Sequence, residues 1–275
     1  NPQLLEIKFF SNLVSGKFKA ASEVSKILEI HNKTSNLYYL PEYILKVKNN
    51  DIKESLDVFK NEKLFFNLNI LNRLIKLWIK ESENKNTLNE NYHNSSIHEL
   101  LVLENFHGSK KLLKIADIIF KNNNLNNHDL LLLAGFYHRA KKIEKSKNII
   151  FSKLSDQFDK QYIIKNFSNN RNVYYKVQSL QDILASKLYS ITNENTSNIY
   201  KDYSYQKVLL EFSLFLNPKM DISRYSLAEI YKSEKTIKLA LKNLNSISQN
   251  SFYFLAANLK KLTIIKNSNI SLEYK

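Results

Sequence analysis

The sequence predicts an all-α fold, an α-solenoid of stacked antiparallel helical hairpins. Three observations carry this. Only 3 Gly and 3 Pro occur in 275 residues, too few for strands joined by tight turns, which draw on Gly for positive φ and on Pro to preset the bend. Apolar residues, 43% of the chain, recur with helical period, enough for a continuous core. A short pattern of turn residue, apolar residue and small residue returns at an interval of 34, Gly16 to Asn50; recurrence at such a period is the mark of stacked repeats.

Taken in order, the periodic segments are helices near 4–14, 18–30, 36–48, 52–60, 64–80, 96–106, 110–121, 128–140, 143–154, 158–167, 176–191, 199–216, 220–233, 236–247 and 251–265. Polar, Asn-rich breaks separate them at 122–127 and 193–198, and the longest break is 82–95. Trp78, the one Trp, shares an apolar stripe with Leu71, Leu74 and Ile75 and reads as core. The whole chain, 1–275, reads as a single helical-repeat domain. Its clearest units are about 3–33, 36–62, 97–122, 127–155 and 219–250, and 64–96 and 156–216 are divergent.

The repeat pattern can be followed residue by residue. Gly16, Phe18 and Ala21 return as Asn50, Ile52 and Ser55. Gly108 to Leu113 opens another unit, 33 residues before Lys141 to Ser146. Two segments match more fully at identical offsets. One is Leu133-Ala134, Tyr137, Lys141, Ile143, Ser146 and Ile150; the other is Leu227-Ala228, Tyr231, Lys235, Ile237, Ala240 and Leu244, with Asn217-Pro218 before it. Small residues let the two helices of a hairpin approach closely, and the aromatic fills the gap to the next hairpin. A hairpin cannot bury its stripe alone, so such units stack.

This order of Leu-small, aromatic, turn, small, apolar and Pro, at a period of 34, resembles the tetratricopeptide (TPR) repeat, in the divergent form found in bacterial proteins. The resemblance covers 1–60, 97–155 and 217–270; elsewhere only helical content supports it. It implies a TPR-like superhelix whose first helices line a concave groove for a protein or peptide partner. Carried over position by position, groove residues are Leu37, Leu40, Ile44, Val47 and Lys48 in the second unit. They are His128, Leu131, Gly135, His138 and Arg139 in the middle, and Tyr225, Glu229, Lys232 and Ser233 in the last clear unit. These differ so much between units that a uniform clamp for a peptide carboxylate is not expected.

No chemistry-bearing motif competes with that reading. Cys is absent, which removes disulfides, thiolate nucleophiles and Cys-ligated metals. His98-Glu99 begins like a zinc motif, but Val102 stands where the second His belongs. Three Gly cannot build a phosphate-cradling loop. No catalytic residue, metal or cofactor is therefore expected, and the chain reads as a scaffold, not an enzyme. The alternative is a basic helical-repeat protein holding nucleic acid through Lys-rich faces, suggested by a net charge of +15. Against it, four of the 41 basic residues are Arg, the residue whose planar fork reads phosphate bidentately. Lys, Asn and Ile share AT-rich codons, which accounts for much of the bias. The longest apolar run, Leu130 to Tyr137, falls far short of the ~20 residues that span a bilayer. Asn1-Pro2 without a Met reads as a fragment, leaving cytoplasm and periplasm both open and upstream repeats uncounted. Oligomeric state is left open too.

Overall fold

The computed structural model describes residues 1–31, 36–58, 69–83, 95–122, 125–168, 177–194 and 203–267. Among them are fifteen α-helices, one 3₁₀ turn and no strand. They are α1 (Pro2–Val14), α2 (Phe18–Ile30), α3 (Asn36–Lys48), α4 (Ile52–Asp57), α5 (Asn69–Glu83), α6 (Ile97–His107), α7 (Leu113–Asn122), α8 (Asn127–Arg139), α9 (Ile143–Ser152), α10 (Lys160–Ser168), α11 (Leu180–Glu194), α12 (Tyr203–Leu216), α13 (Asp221–Ser233), α14 (Ile237–Asn245) and α15 (Phe254–Asn267). Each matches one segment of helical period in the sequence, with ends shifted by a few residues. The end expected at 60, the starts expected at 64, 176 and 199, and most of the 82–95 and 193–198 breaks lie outside the described residues. The fold is all-α, and helices adjacent in sequence pack in pairs, as in a helical repeat.

Four hairpins share one turn, and the turn explains the recurring pattern. Gly16, Asn50, Lys141 and Lys235 all have positive φ, at 68°, 70°, 64° and 61°. At each, the N–H donates three residues back, to the carbonyls of Leu13, Val47, His138 and Lys232. The next N–H, from Lys17, Asp51, Lys142 and Thr236, donates five residues back. This is the Schellman ending, which satisfies the last free carbonyls of a helix and reverses the chain. The second helix then starts two residues on, at Phe18, Ile52, Ile143 and Ile237. Five residues on stand Ala21, Ser55, Ser146 and Ala240, all at most 2% exposed. At one of them the helices are close enough for Ser146 Oγ to donate across to the Ala134 carbonyl at 2.8 Å. A larger side chain at these positions would push the pair apart.

At Gly108 the structure departs from the expected copy. Gly108 has φ 75° and ψ 150°, its N–H returns to Glu104, and a 3₁₀ turn over Ser109–Leu112 leads into α7. Lys110 and Leu113 lack the apolar and small character that the hairpin turn needs.

The turn makes a direct prediction. Left-handed φ costs a residue with a Cβ about 1–2 kcal/mol, so Gly16→Ala, whose Cβ also meets Glu211 Oε2 at 3.4 Å, is expected to destabilise by ~1 kcal/mol. Lys141→Gly and Lys235→Gly are expected to do the opposite, each stabilising by ~0.5 kcal/mol once glycine's greater unfolded entropy is deducted. Urea melts of the three variants check this; a stabilising Gly16→Ala would show that the turn is not as described.

Where the sequence reads as one continuous array, the contacts form two compact units, each assembled from two stretches of chain. The first comprises residues Asn1–Ile119 and Val177–Pro218, the second Phe120–Lys176 and Lys219–Lys275, with the boundary inside α7. In the first unit α1 to α6 pack in sequence order. The hairpin α11–α12 then lies on them, touching α1 and α3 through α12 and α5 and α6 through α11. Both helices of that hairpin are apolar on most sides. Ile183, Leu184, Leu188, Ile191, Leu209, Leu210 and Phe212 are all at most 1% exposed, the state of a helix enclosed by others. Ser213 Oγ reaches across to the Ala185 carbonyl at 2.8 Å, the same close approach seen at Ser146.

The second unit contains a duplication. The starts of α8, α9 and α10 at 127, 143 and 160 return at 221, 237 and 254 for α13, α14 and α15, a displacement of 94 each time. Aromatic contacts bind the third helices into this unit: Phe158 meets Tyr253 at 5.2 Å between ring centroids, and Phe167 meets Phe252 at 5.8 Å.

Candidate functional site

The positions expected to line a groove fall on α3, α8 and α13. Their fates differ between the two units.

On α3, Leu40, Ile44 and Val47 are completely buried and Leu37 partly so. The neighbouring chain is α12. Lys48 Nζ donates to the Leu216 carbonyl at 3.1 Å and sits 5.6 Å from the centre of the Phe215 ring. Gln181 Nε2, on α11, donates to the Val47 carbonyl at 3.0 Å. Of the α3 positions expected in a groove, Leu40 and Ile44 are thus enclosed within the first unit, Leu37 is part-buried and Lys48 is exposed, with α12 packed at the Val47–Lys48 end of the helix. The apolar surface of the α11–α12 hairpin has to be buried somewhere and finds α1, α3, α5 and α6.

Beside that hairpin lie two buried His contacts. His98 Nε2 is 3.1 Å from Ser186 Oγ, joining α6 to α11. His107 Nε2 is 2.6 Å from Glu81 Oε2, joining α6 to α5. Glu99, expected as a polar residue opening α6, does so by a capping box with Ser96, and also accepts from Arg73 Nε at 2.5 Å. The His–Ser contact would suit a nucleophile and its base, yet both side chains are at most 2% exposed, and a substrate cannot reach them without unpacking α6 from α11. It acts as a hydrogen-bonded lock between helices. The described residues contain no cluster of three His, Asp or Glu able to hold a metal.

In the second unit the expected residues divide. His128 is 3% exposed and belongs to the core of α8. Burial pushes its pKa down to about 3, so the ring is neutral. His138 and Arg139 close α8 half-buried, with the His138 ring 5.4 Å from Phe167 of α10. Burial, and then the cations Lys141 and Arg139, hold the His138 pKa below the usual histidine range. On α13, Tyr225, Glu229 and Lys232 are all part-exposed, three and four residues apart on adjoining faces. Glu229 Oε1 pairs with Lys260 Nζ of α15 at 2.7 Å. Burial raises the Tyr225 phenol, with Lys260 opposing and Glu229 adding to the effect. Burial lowers the Lys260 ammonium, but the hydrogen bond and charge of Glu229 outweigh it and leave the group above its ordinary value.

The structure thus brings Tyr225 and Glu229 together with Lys260, and His138 with Phe167. Lys260, Phe167 and Phe252 were not legible as site residues from the repeat pattern, since Phe167 and Lys260 lie on the third helix of each duplicated set and Phe252 in the turn before α15. The signal that locates them is the continuation of the 94-residue displacement past the hairpins, which aligns Phe158 with Phe252. The resulting surface offers a phenol, an ion pair and the part-exposed Lys232 side chain, groups suited to recognising polar partners. Comparison with protein-family models, curated proteins and solved structures gives no match. No described helix is long and apolar enough to cross a membrane.

Proposed function

We propose that this chain is a TPR-like repeat protein that binds a protein or peptide partner, and that the partner contacts the α13 face of the second unit. The observation that carries the proposal is the set of four hairpins with the same positive-φ turn and the same buried small residue. Hairpins of that kind present their first helices for recognition. Of those helices, α13 carries Tyr225, Glu229 and Lys232 together as a part-exposed polar set. Such a face suits a partner with an aromatic or apolar anchor and an acidic group for Lys232. The role is that of a scaffold or adaptor, without catalysis.

The test is affinity capture with the wild-type chain and with a Tyr225→Ala plus Lys232→Glu variant. Partners held by the wild type should fall at least about tenfold with the variant, the usual yield of removing one anchor and reversing one charge. An unchanged set of partners would reject the α13 face.

The charge of +15 supports the second reading, nucleic-acid binding through lysine faces. Titration of a fluorescent RNA or DNA oligomer against salt separates the two. Phosphate binding weakens steeply as salt rises, whereas an anchored peptide contact keeps most of its affinity.

A further inference from the structure

Helix α15 presents an apolar line that its internal duplicate lacks. On α15, Leu255, Leu259 and Leu262 are 45%, 53% and 65% exposed. Their spacing of four and three residues puts them on one seam, the a/d spacing of paired helices. The opposite face of α15 is already used: Ala256, Ala257 and Ile264 are buried, and Lys260 pairs with Glu229. At the 94-residue displacement, the equivalent positions of α10 are Gln161, Lys165 and Ser168; Gln161 and Lys165 are exposed. The fold of this unit therefore accepts polar residues on that line, and three leucines there are not a requirement of packing.

Charge and shape narrow the occupant. Besides the paired Lys260, helix α15 carries Lys261 and Lys266 and no carboxylate; α14, which packs on it, adds the exposed Lys238 and Lys242 and again no carboxylate. A second copy of α15 laid on the seam would set lysine against lysine, which opposes pairing. A membrane surface calls for a broad apolar face with aromatic anchors, whereas this line is narrow and aliphatic. We propose that the Leu255–Leu259–Leu262 seam docks an acidic amphipathic helix of a partner protein, its apolar residues at the same spacing and its flanks bearing Asp or Glu. The site is separate from the α13 face, and its validity does not depend on that assignment.

The experiment uses the whole chain and a labelled peptide of about 20 residues with Leu at a and d and Glu at e and g. A control peptide has the same composition in scrambled order. Fluorescence anisotropy should show the seam peptide binding at least about tenfold tighter than the control, a difference of the size that a few buried leucines supply. The triple variant Leu255→Gln, Leu259→Lys, Leu262→Ser copies the residues of α10. It should keep the wild-type circular-dichroism melt and lose at least about tenfold in affinity, although it gains a positive charge. Tyr225→Ala plus Lys232→Glu should leave seam binding unchanged, so failure here and failure of the α13 face are read separately. Equal binding of the two peptides, or full binding by the triple variant, would overturn the proposal. So would a wild-type dimer in sedimentation that the triple variant dissolves, which makes a second copy the occupant. Binding to phosphatidylglycerol vesicles with the same loss in the triple variant, and none to the peptide, would overturn it in favour of a lipid surface.

Discussion

Phe212→Ala is expected to destabilise the first unit by about 3–5 kcal/mol, the range for deleting a buried aromatic. Phe212 is completely buried and stacks on Phe18, with ring centroids 4.4 Å apart and planes at 29°. Phe18 meets Phe215 as well, at 4.9 Å. Phe18 is the first residue after the Gly16 turn and Phe212 the heart of α12, so this stack ties the hairpin at the start of the chain to one almost two hundred residues later. Denaturant melts measure the loss. Hydrogen exchange locates it, since α11 and α12 should lose protection together with α1 to α3, the helices that α12 and its neighbours hold. A loss below ~1 kcal/mol would be incompatible with an enclosed ring.

Lowering the pH from 7 to 5 is expected to cost the fold about 2 kcal/mol through His128 alone. Burial holds this ring near a pKa of about 3, while in the unfolded chain it titrates at ~6.5. Its position in the first turn of α8 adds to the penalty on the charged form, because a cation there faces the positive end of the helix dipole. The folded pKa is the lower one, so the unfolded chain takes up the proton first. The stability is complete above ~6.5, begins to drain below it, and is exhausted only near 3. Urea midpoints at pH 7 and pH 5 for the wild type and His128→Gln test this. The wild type should lose about 2 kcal/mol more than the variant; equal losses would mean that His128 is not sealed from protons.

What the sequence discloses here is its local physics. The turns at Gly16, Asn50, Lys141 and Lys235 follow from chain reversal within a few residues. Ala21, Ser55, Ser146 and Ala240 follow from the close approach that each turn enforces. Both are readable because cause and effect lie within about ten positions. The destination of α11 and α12 is not local. Helical period at Ile183, Leu184 and Leu188 shows that a face must be buried but not which partner buries it, so the α3 positions Leu40 and Ile44 pass for an open groove. The apolar character of 180–191 and 208–216 on nearly all sides was the available clue, since it marks enclosed helices. Lys260 opposite Glu229 and Phe167 beside His138 were hidden for a related reason. A 34-residue repeat ends at the hairpin, and these contacts come from the helix that follows it.

The split composition of the first unit sets an order of events during synthesis. Its second stretch, from Val177 to Pro218, is translated only after the whole of Phe120–Lys176 has been made. At about 5–20 residues per second, roughly a hundred residues separate the completion of α6 from the arrival of α12, a wait on the order of 5–20 s. Over that interval the parts of α1, α3, α5 and α6 that α11 and α12 cover face water or a chaperone. The nascent chain therefore passes through a stage in which an apolar surface is bare, and truncations ending before residue 218 should aggregate where the full chain does not.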